Sequence, residues 1–249
     1  MAGTRILCKD IISVTDWNHE YVAIKSKLES KSPLPTLASF DLLNPLDNSR
    51  HGYTVTPRGG QVRDWGLHYD NGAVPSLTDF VQAGKGAVSF ATAFSLSRAD
   101  RYINIFSNRL TGQGFNFYYS GGFYLSYIYP SGETGAIATG EVLAPEVGKW
   151  YVAAGIFDAA NKTASVRISE LGLRYGSIGG SFPANTVLDA AVSIGGGPDG
   201  STTSSMAGDI AFVAFYDGAF TATQRDAMIS VGQTVLQERG ALLNKSNFC

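Results

Sequence analysis

Cysteine is nearly absent: Cys8 and Cys249, near opposite ends, are the only two in 249 residues. That excludes a disulfide framework or a multi-cysteine zinc site and leaves two free thiols or one bridge between the ends. Charge is scarce as well, at 16% of residues against roughly 25% in an ordinary globular domain. The 19 basic and 21 acidic side chains nearly cancel, for a net charge of −2, so no long-range field draws the protein to nucleic acid or to an anionic bilayer. No uncharged apolar run approaches the ~18 residues of a membrane-spanning helix. The opening Met1 to Asp10 lacks the apolar core, about 7 to 15 residues long, of a secretory signal. The expected protein is soluble, made in the cytoplasm, and found in a virion or outside the cell only after lysis.

What the chain has in quantity is glycine, 29 residues, together with 44% apolar side chains. Between Asp16 and Glu29, Trp17, Tyr21, Ile24 and Leu28 recur at spacings of three and four, which predicts a short helix. Lys25, Lys27 and Lys31 lie off that face and read as a solvated flank. Ser32-Pro33-Leu34-Pro35 ends the helix, because proline lacks an amide donor and biases its predecessor toward extended geometry. The expected organisation is an N-terminal flank over 1–34, a domain over 35–236 and a tail over 237–249, the flank serving as a docking segment.

From Leu37 onward, short aromatic and β-branched runs are separated by Gly, Asn, Asp and Ser, the punctuation of an all-β sandwich or barrel. Strands are expected at 87–96, 102–107, 115–119, 123–129, 150–157, 163–168, 190–195 and 209–216. Ser120-Gly121-Gly122 and the run from Asp158 to Lys162 read as hairpin turns. In the first hairpin Phe115, Phe117, Tyr119, Phe123, Leu125 and Tyr127 fall on an oily face, while Asn116, Tyr118, Tyr124 and Ser126 fall on a mixed one. Thr221-Ala222-Thr223-Gln224 matches a capping box, opening a helix that lays Met228, Val231, Val235 and Leu236 against a sheet.

The run from Val147 to Asp158, with Gly148-Lys149-Trp150 leading into an apolar strand that ends at an aspartate, resembles a strand of concanavalin A-like jelly rolls of the laminin-G-like type. Ala160 to Ile168, Val192-Ser193-Ile194-Gly195-Gly196, Met206 to Tyr216 and Phe220 to Gln224 resemble the elements that follow, in the same order, and the likeness covers about Leu37 to Val235. It implies an antiparallel two-sheet jelly-roll sandwich with a short N-terminal helical flank and a C-terminal helix. Trp150 is expected to fill a core gap at a strand entrance, and Gly195, Gly196 and Gly208 to permit close approach or positive φ.

Glycan-cleaving enzymes of this superfamily are expected to carry acids on alternate strand positions, both pointing into the cleft. No strand here does. Glu133 with Glu141 and Asp199 with Asp209 flank glycine-rich loops and read as solvated acids. His19, His51 and His68 are scattered, Ser193 and Ser205 lack a nucleophile elbow, and Gly195-Gly196-Gly197-Pro198 lacks the lysine of a phosphate loop. No catalytic residue is assigned. The resemblance makes calcium a possible cofactor, with Asp158, Asn161, Asp199 and Asp209 as ligands by type; the same residues serve equally as turn formers.

Binding has better support, because 12 Tyr, 14 Phe and 3 Trp supply flat faces on which sugar rings stack. Asn104, Asn116, Tyr118, Tyr124 and Ser126 form the expected glycan patch, with Arg109 and Trp65 in loops nearby in sequence. The same face could instead pack on a neighbouring subunit or on the second sheet. Three readings follow: a non-catalytic module on a virion tail, baseplate or capsid that binds host-surface glycan; a structural or decorative virion protein, as a homo-oligomer or within a larger assembly; and a glycan-cleaving enzyme.

Overall fold

The structure is a computed structural model, and it describes residues 27–44, 47–49, 51–81, 87–109, 114–128, 134–138, 145–158, 161, 163–169, 172–177 and 190–241. In chain order its elements are α1 (Lys27–Ser30), β1 (Thr36–Phe40), β2 (Val55–Thr56), β3 (Gln61–Arg63), β4 (Gly66–Tyr69), β5 (Ser76–Val81), β6 (Ala87–Leu96), β7 (Ile103–Ser107), β8 (Gly114–Tyr119), β9 (Phe123–Ile128), β10 (Thr134–Ala138), β11 (Trp150–Asp158), β12 (Thr163–Ile168), β13 (Gly172–Ser177), β14 (Ala191–Ile194), β15 (Gly208–Asp217) and α2 (Ala222–Glu238). They build two antiparallel sheets. The first has eight strands in the order β13-β12-β11-β6-β15-β4-β3, with β1 also paired to β15; the second has seven in the order β10-β9-β8-β7-β14-β5-β2. This is the all-β sandwich that the punctuation of the sequence leads one to expect, in the jelly-roll form with terminal helices that the resemblance implies.

Phenylalanine fills the space between the sheets. Phe90 and Phe94 of β6 and Phe215 of β15 meet Phe106, Phe115, Phe117 and Phe123 of the second sheet, with Phe90 and Phe106 centred 5.0 Å apart at a steep angle. Such edge-to-face pairs contribute about 0.5–1.5 kcal/mol each beyond the area they bury. At Gly155 of β11 the ring of Phe90 lies where a β-carbon would stand, 2.4 Å away, so only glycine leaves room for the ring.

The outer face of the first sheet is also buried, because α2 lies across it. Met228, Ile229, Val235 and Leu236 pack on Ala91, Ala93, Val152, Ala154, Ala211 and Phe212. The small residues on the sheet and Gly232 on the helix let the two layers approach closely, since a β-carbon at Gly232 would stand 2.6 Å from a Val152 methyl. The expected capping box opens this helix: the Thr221 hydroxyl accepts from the Gln224 amide at 3.2 Å, and the Thr221 amide donates to the Gln224 side chain at 2.8 Å. Trp150 departs from expectation. Strand alternation puts it with Val152 on the helix side, half-buried against the outer cluster, while Tyr151 takes the core position.

The stretch before the jelly roll is packed onto it. Leu28 is 1% exposed within the outer cluster, its carbonyl accepts from the Tyr216 hydroxyl at 3.3 Å, and the Pro35 carbonyl accepts from the Asp217 amide at 2.9 Å. The chain therefore joins the described fold on its helix-bearing side. Residues 1–26 and 242–249, with both cysteines and most of the expected first helix, lie outside the described residues.

Candidate functional site

The mixed face expected from period-two alternation exists, on the outside of the second sheet. The register of β7, β8 and β9 lines up Asn104, Tyr118 and Tyr124 in one row across the sheet, and Ser107, Asn116 and Ser126 in the next. Because Phe115, Phe117, Phe123 and Leu125 take the alternate positions and fill the core, this face turns away from the first sheet, which removes the reading that it packs there.

The five residues come together but do two different jobs. Asn104, Asn116 and Ser126 are 5%, 1% and 3% exposed and form a hydrogen-bonded floor. The Asn116 amide donates to the Tyr102 hydroxyl at 2.7 Å and to the Asn104 side-chain oxygen at 3.1 Å, and the Ser126 hydroxyl donates to the Asn116 oxygen. The Tyr102 hydroxyl donates to Asn104 at 3.1 Å, and the Asn104 amide reaches the Ser204 hydroxyl at 3.3 Å. With donors and acceptors already matched, the floor is a rigid support rather than a contact surface.

On that floor stands a row of half-buried tyrosines. The rings of Tyr102 and Tyr118 are centred 4.7 Å apart, and those of Tyr118 and Tyr124 lie 5.2 Å apart and nearly parallel, at 14°. Burial and the adjacent Tyr118 hydroxyl push the Tyr102 phenol up to about 12, against the opposing pull of Arg109 and of its bonds to Asn116 and Asn104. Burial likewise raises Tyr118, with Tyr124 adding to the rise and Ser126 and Arg109 drawing it back. The Tyr102 and Tyr118 hydroxyls are thus neutral near pH 7, able both to donate and to accept. Tyr102 and Ser204 are additions to the expected set. Tyr102 was legible, since it lies two residues before Asn104 and alternation gives both the same face; Ser204, 100 residues along the chain, carried no local signal.

Arg109 stands beside this row, whereas Trp65 belongs to the other sheet, where its indole donates to Asp209 at 3.0 Å. The four residues expected to hold calcium are not brought together. Asp158 and Asn161 close the β11–β12 turn through bonds of 3.0 and 2.7 Å, Asp199 accepts the Ser201 amide at 3.1 Å, and Asp209 accepts from Trp65 and His68. Asp158 pairs with Ala87 and Asp209 with Ser95, at opposite ends of β6. Among the described residues no group of three or more His, Cys, Asp or Glu side chains is placed to hold a metal. Turn formation and hydrogen bonding account for Asp158, Asn161, Asp199 and Asp209 where they stand. Glu133 and Glu141 lie outside the described residues.

A laminin-G-type profile of the concanavalin A-like lectin/glucanases superfamily matches residues 69–224. The chain belongs to this superfamily. Among solved structures, the botulinum neurotoxin serotype D binding domain shares the superfamily's fold with this chain at a TM-score of 0.61 and 12% identity, over 85% of this chain and 53% of that one. Domain 4 of AbnA, a GH43 extracellular arabinanase from Geobacillus stearothermophilus solved with arabinotriose, gives 0.60 and 14%, over 79% and 98%. A botulinum neurotoxin type C structure, whose cell entry depends on two ganglioside molecules, gives 0.58 and 8%, over 80% and 51%. The chain thus spans about half the length of these neurotoxin chains. Comparison with curated proteins gives no match by sequence.

Proposed function

We propose that the protein is a non-catalytic carbohydrate-recognition module whose sugar lies along the Tyr102, Tyr118 and Tyr124 row. The observation that carries this reading is a set of aromatic rings, held rigid by a matched polar floor, on the outer face of a lectin-type sandwich. Rigid tyrosines offer apolar contact at little entropic cost, and their hydroxyls bond sugar hydroxyls. Two proteins of the same fold engage sugars, domain 4 of AbnA in its complex with arabinotriose and botulinum neurotoxin type C through two ganglioside molecules, which favours a glycan over other small ligands.

Display on a virion tail, baseplate or capsid is part of the same proposal. The chain joins the fold on the helix-bearing side of the first sheet, and the tyrosine row faces outward from the second. An attachment segment on one side and a binding face on the other suit a module presented to a host surface.

A glycan array followed by calorimetry tests the reading. Tyr124→Ala is expected to weaken the best glycan about tenfold, the loss of one aromatic contact of about 1.4 kcal/mol, with thermal unfolding little changed. Copurification of the native protein with virions tests its carriage. No affinity for any glycan, with Tyr118→Ala disturbing a symmetric assembly, would instead support a structural virion protein; release of reducing ends from polysaccharide would support an enzyme.

A further inference from the structure

The tyrosine row has a cation beside it and no described anion to balance it. Arg109 lies two residues beyond the end of β7, and its backbone is held from several sides. Its amide donates to the Ser107 hydroxyl at 3.0 Å. The preceding Asn108 is bonded to Phe115 in both directions, its amide giving to the Phe115 carbonyl at 3.1 Å and its side-chain oxygen accepting the Phe115 amide at 2.7 Å. Gly114, at a φ of +118°, lets β8 press against this corner: a β-carbon there would stand 2.9 Å from the Arg109 α-carbon.

The Arg109 side chain, by contrast, is exposed. Three other arginines of the described fold spend their guanidinium groups within the fold, Arg98 on Asp100, Arg167 on Asp226, and Arg239 on the carbonyls of Asp41, Trp65 and Ala211, whereas Arg58 is exposed like Arg109. Among the described residues Arg109 has no such bond and no ion pair. Its charge nevertheless reaches the hydroxyls of Tyr102 and Tyr118, and among the described residues no carboxylate acts on either of them.

We infer that Arg109 is the specificity-determining residue of the row and that the preferred ligand is a carboxylate-bearing sugar, its ring against the tyrosines and its acid group on the guanidinium fork. The chemistry is that of a planar two-pronged donor, which matches a carboxylate bidentately and gains most where a neighbouring apolar surface excludes water. Neutral hydroxyls alone would leave the guanidinium without a complementary charge. The inference rests on the proposed glycan-binding role and sharpens it to acidic glycans.

An oligosaccharide array in which each carboxylate-bearing member stands beside its carboxyl-reduced counterpart separates the two. The acidic members are expected to bind at least tenfold more tightly than their reduced partners, and rising salt is expected to erase most of that margin. Arg109→Ala should bring both classes to the level of the reduced sugars with thermal unfolding unchanged, and Arg109→Lys should restore only part of the margin, because an ammonium lacks the fork. Binding that is strongest for neutral sugars, or indifferent to Arg109→Ala, would overturn the inference while leaving the glycan-binding role intact. A preference confined to sulfated sugars would overturn its carboxylate form. Failure to bind any member of the array would remove the underlying reading along with it.

Discussion

Single residues set the limits of this fold where backbones or rings approach most closely. Gly155→Ala is expected to cost about 1–3 kcal/mol, the usual cost of overpacking a filled core, because the new methyl would meet the Phe90 ring at 2.4 Å and the Ser165 carbonyl at 3.0 Å; chemical denaturation would show it as a lower midpoint at unchanged slope. Asn116→Ala removes the hub of the polar floor, taking one partner from each of the Tyr102, Asn104 and Ser126 side chains, for an expected loss of about 1–3 kcal/mol. The same change should weaken glycan binding by loosening the rings above. Tyrosine also governs the alkaline limit. Burial raises Tyr69 and Tyr216, and Tyr102 lies near 12 instead of the usual 10.0. A raised folded value means that the unfolded chain releases its protons first. The stabilisation is therefore complete below pH 10 and is lost as pH climbs toward 12 and beyond; tyrosinate absorbance should rise together with unfolding, and a rise well before unfolding would contradict the burial of these side chains.

At the scale of helices and strands, α2 shows two opposing effects whose magnitudes can be compared. Gly232→Ala gains about 1 kcal/mol of helix propensity, but its methyl would press on Val152 at 2.6 Å and Phe212 at 2.9 Å, and overpacking of that kind costs about 1–3 kcal/mol. A net fall in melting temperature is expected, and a rise would show that α2 rides higher on the sheet than described. The capping box that marks this helix was plain in the sequence, as were β6 to β9, β11, β12, β14 and β15, each within two residues of its observed ends. Seven strands escaped notice, β1 to β5, β10 and β13, and four of them have physical reasons to be quiet. β2 has two residues, β3 is exposed along its whole length, and β10 and β13 are rich in glycine, alanine and serine. Trp150 was misplaced for the opposite reason: β11 is buried on both faces, so its apolar run contains no alternation from which to tell helix side from core side. The tyrosine row was half legible, because alternation gives faces, but only tertiary structure reveals that the asparagines are spent on one another.

As a whole, the molecule is layered, helix on sheet on sheet, and its two outer faces differ in kind. One is covered by α2 and receives the chain from its N-terminal side; the other carries a row of tyrosines with an arginine at its edge. Near-zero net charge leaves association to short-range contacts, so salt should change the binding of neutral sugars little and that of acidic sugars strongly. The most direct test is a titration of the isotopically labelled protein with its best array ligand, followed by chemical-shift mapping. Shifts concentrated at Tyr102, Arg109, Tyr118 and Tyr124 are expected, with the floor residues following weakly. Shifts concentrated instead on the first sheet, around Trp65, His68 and Asp209, would place the ligand on the opposite face and contradict the assignment of the tyrosine row as the binding surface.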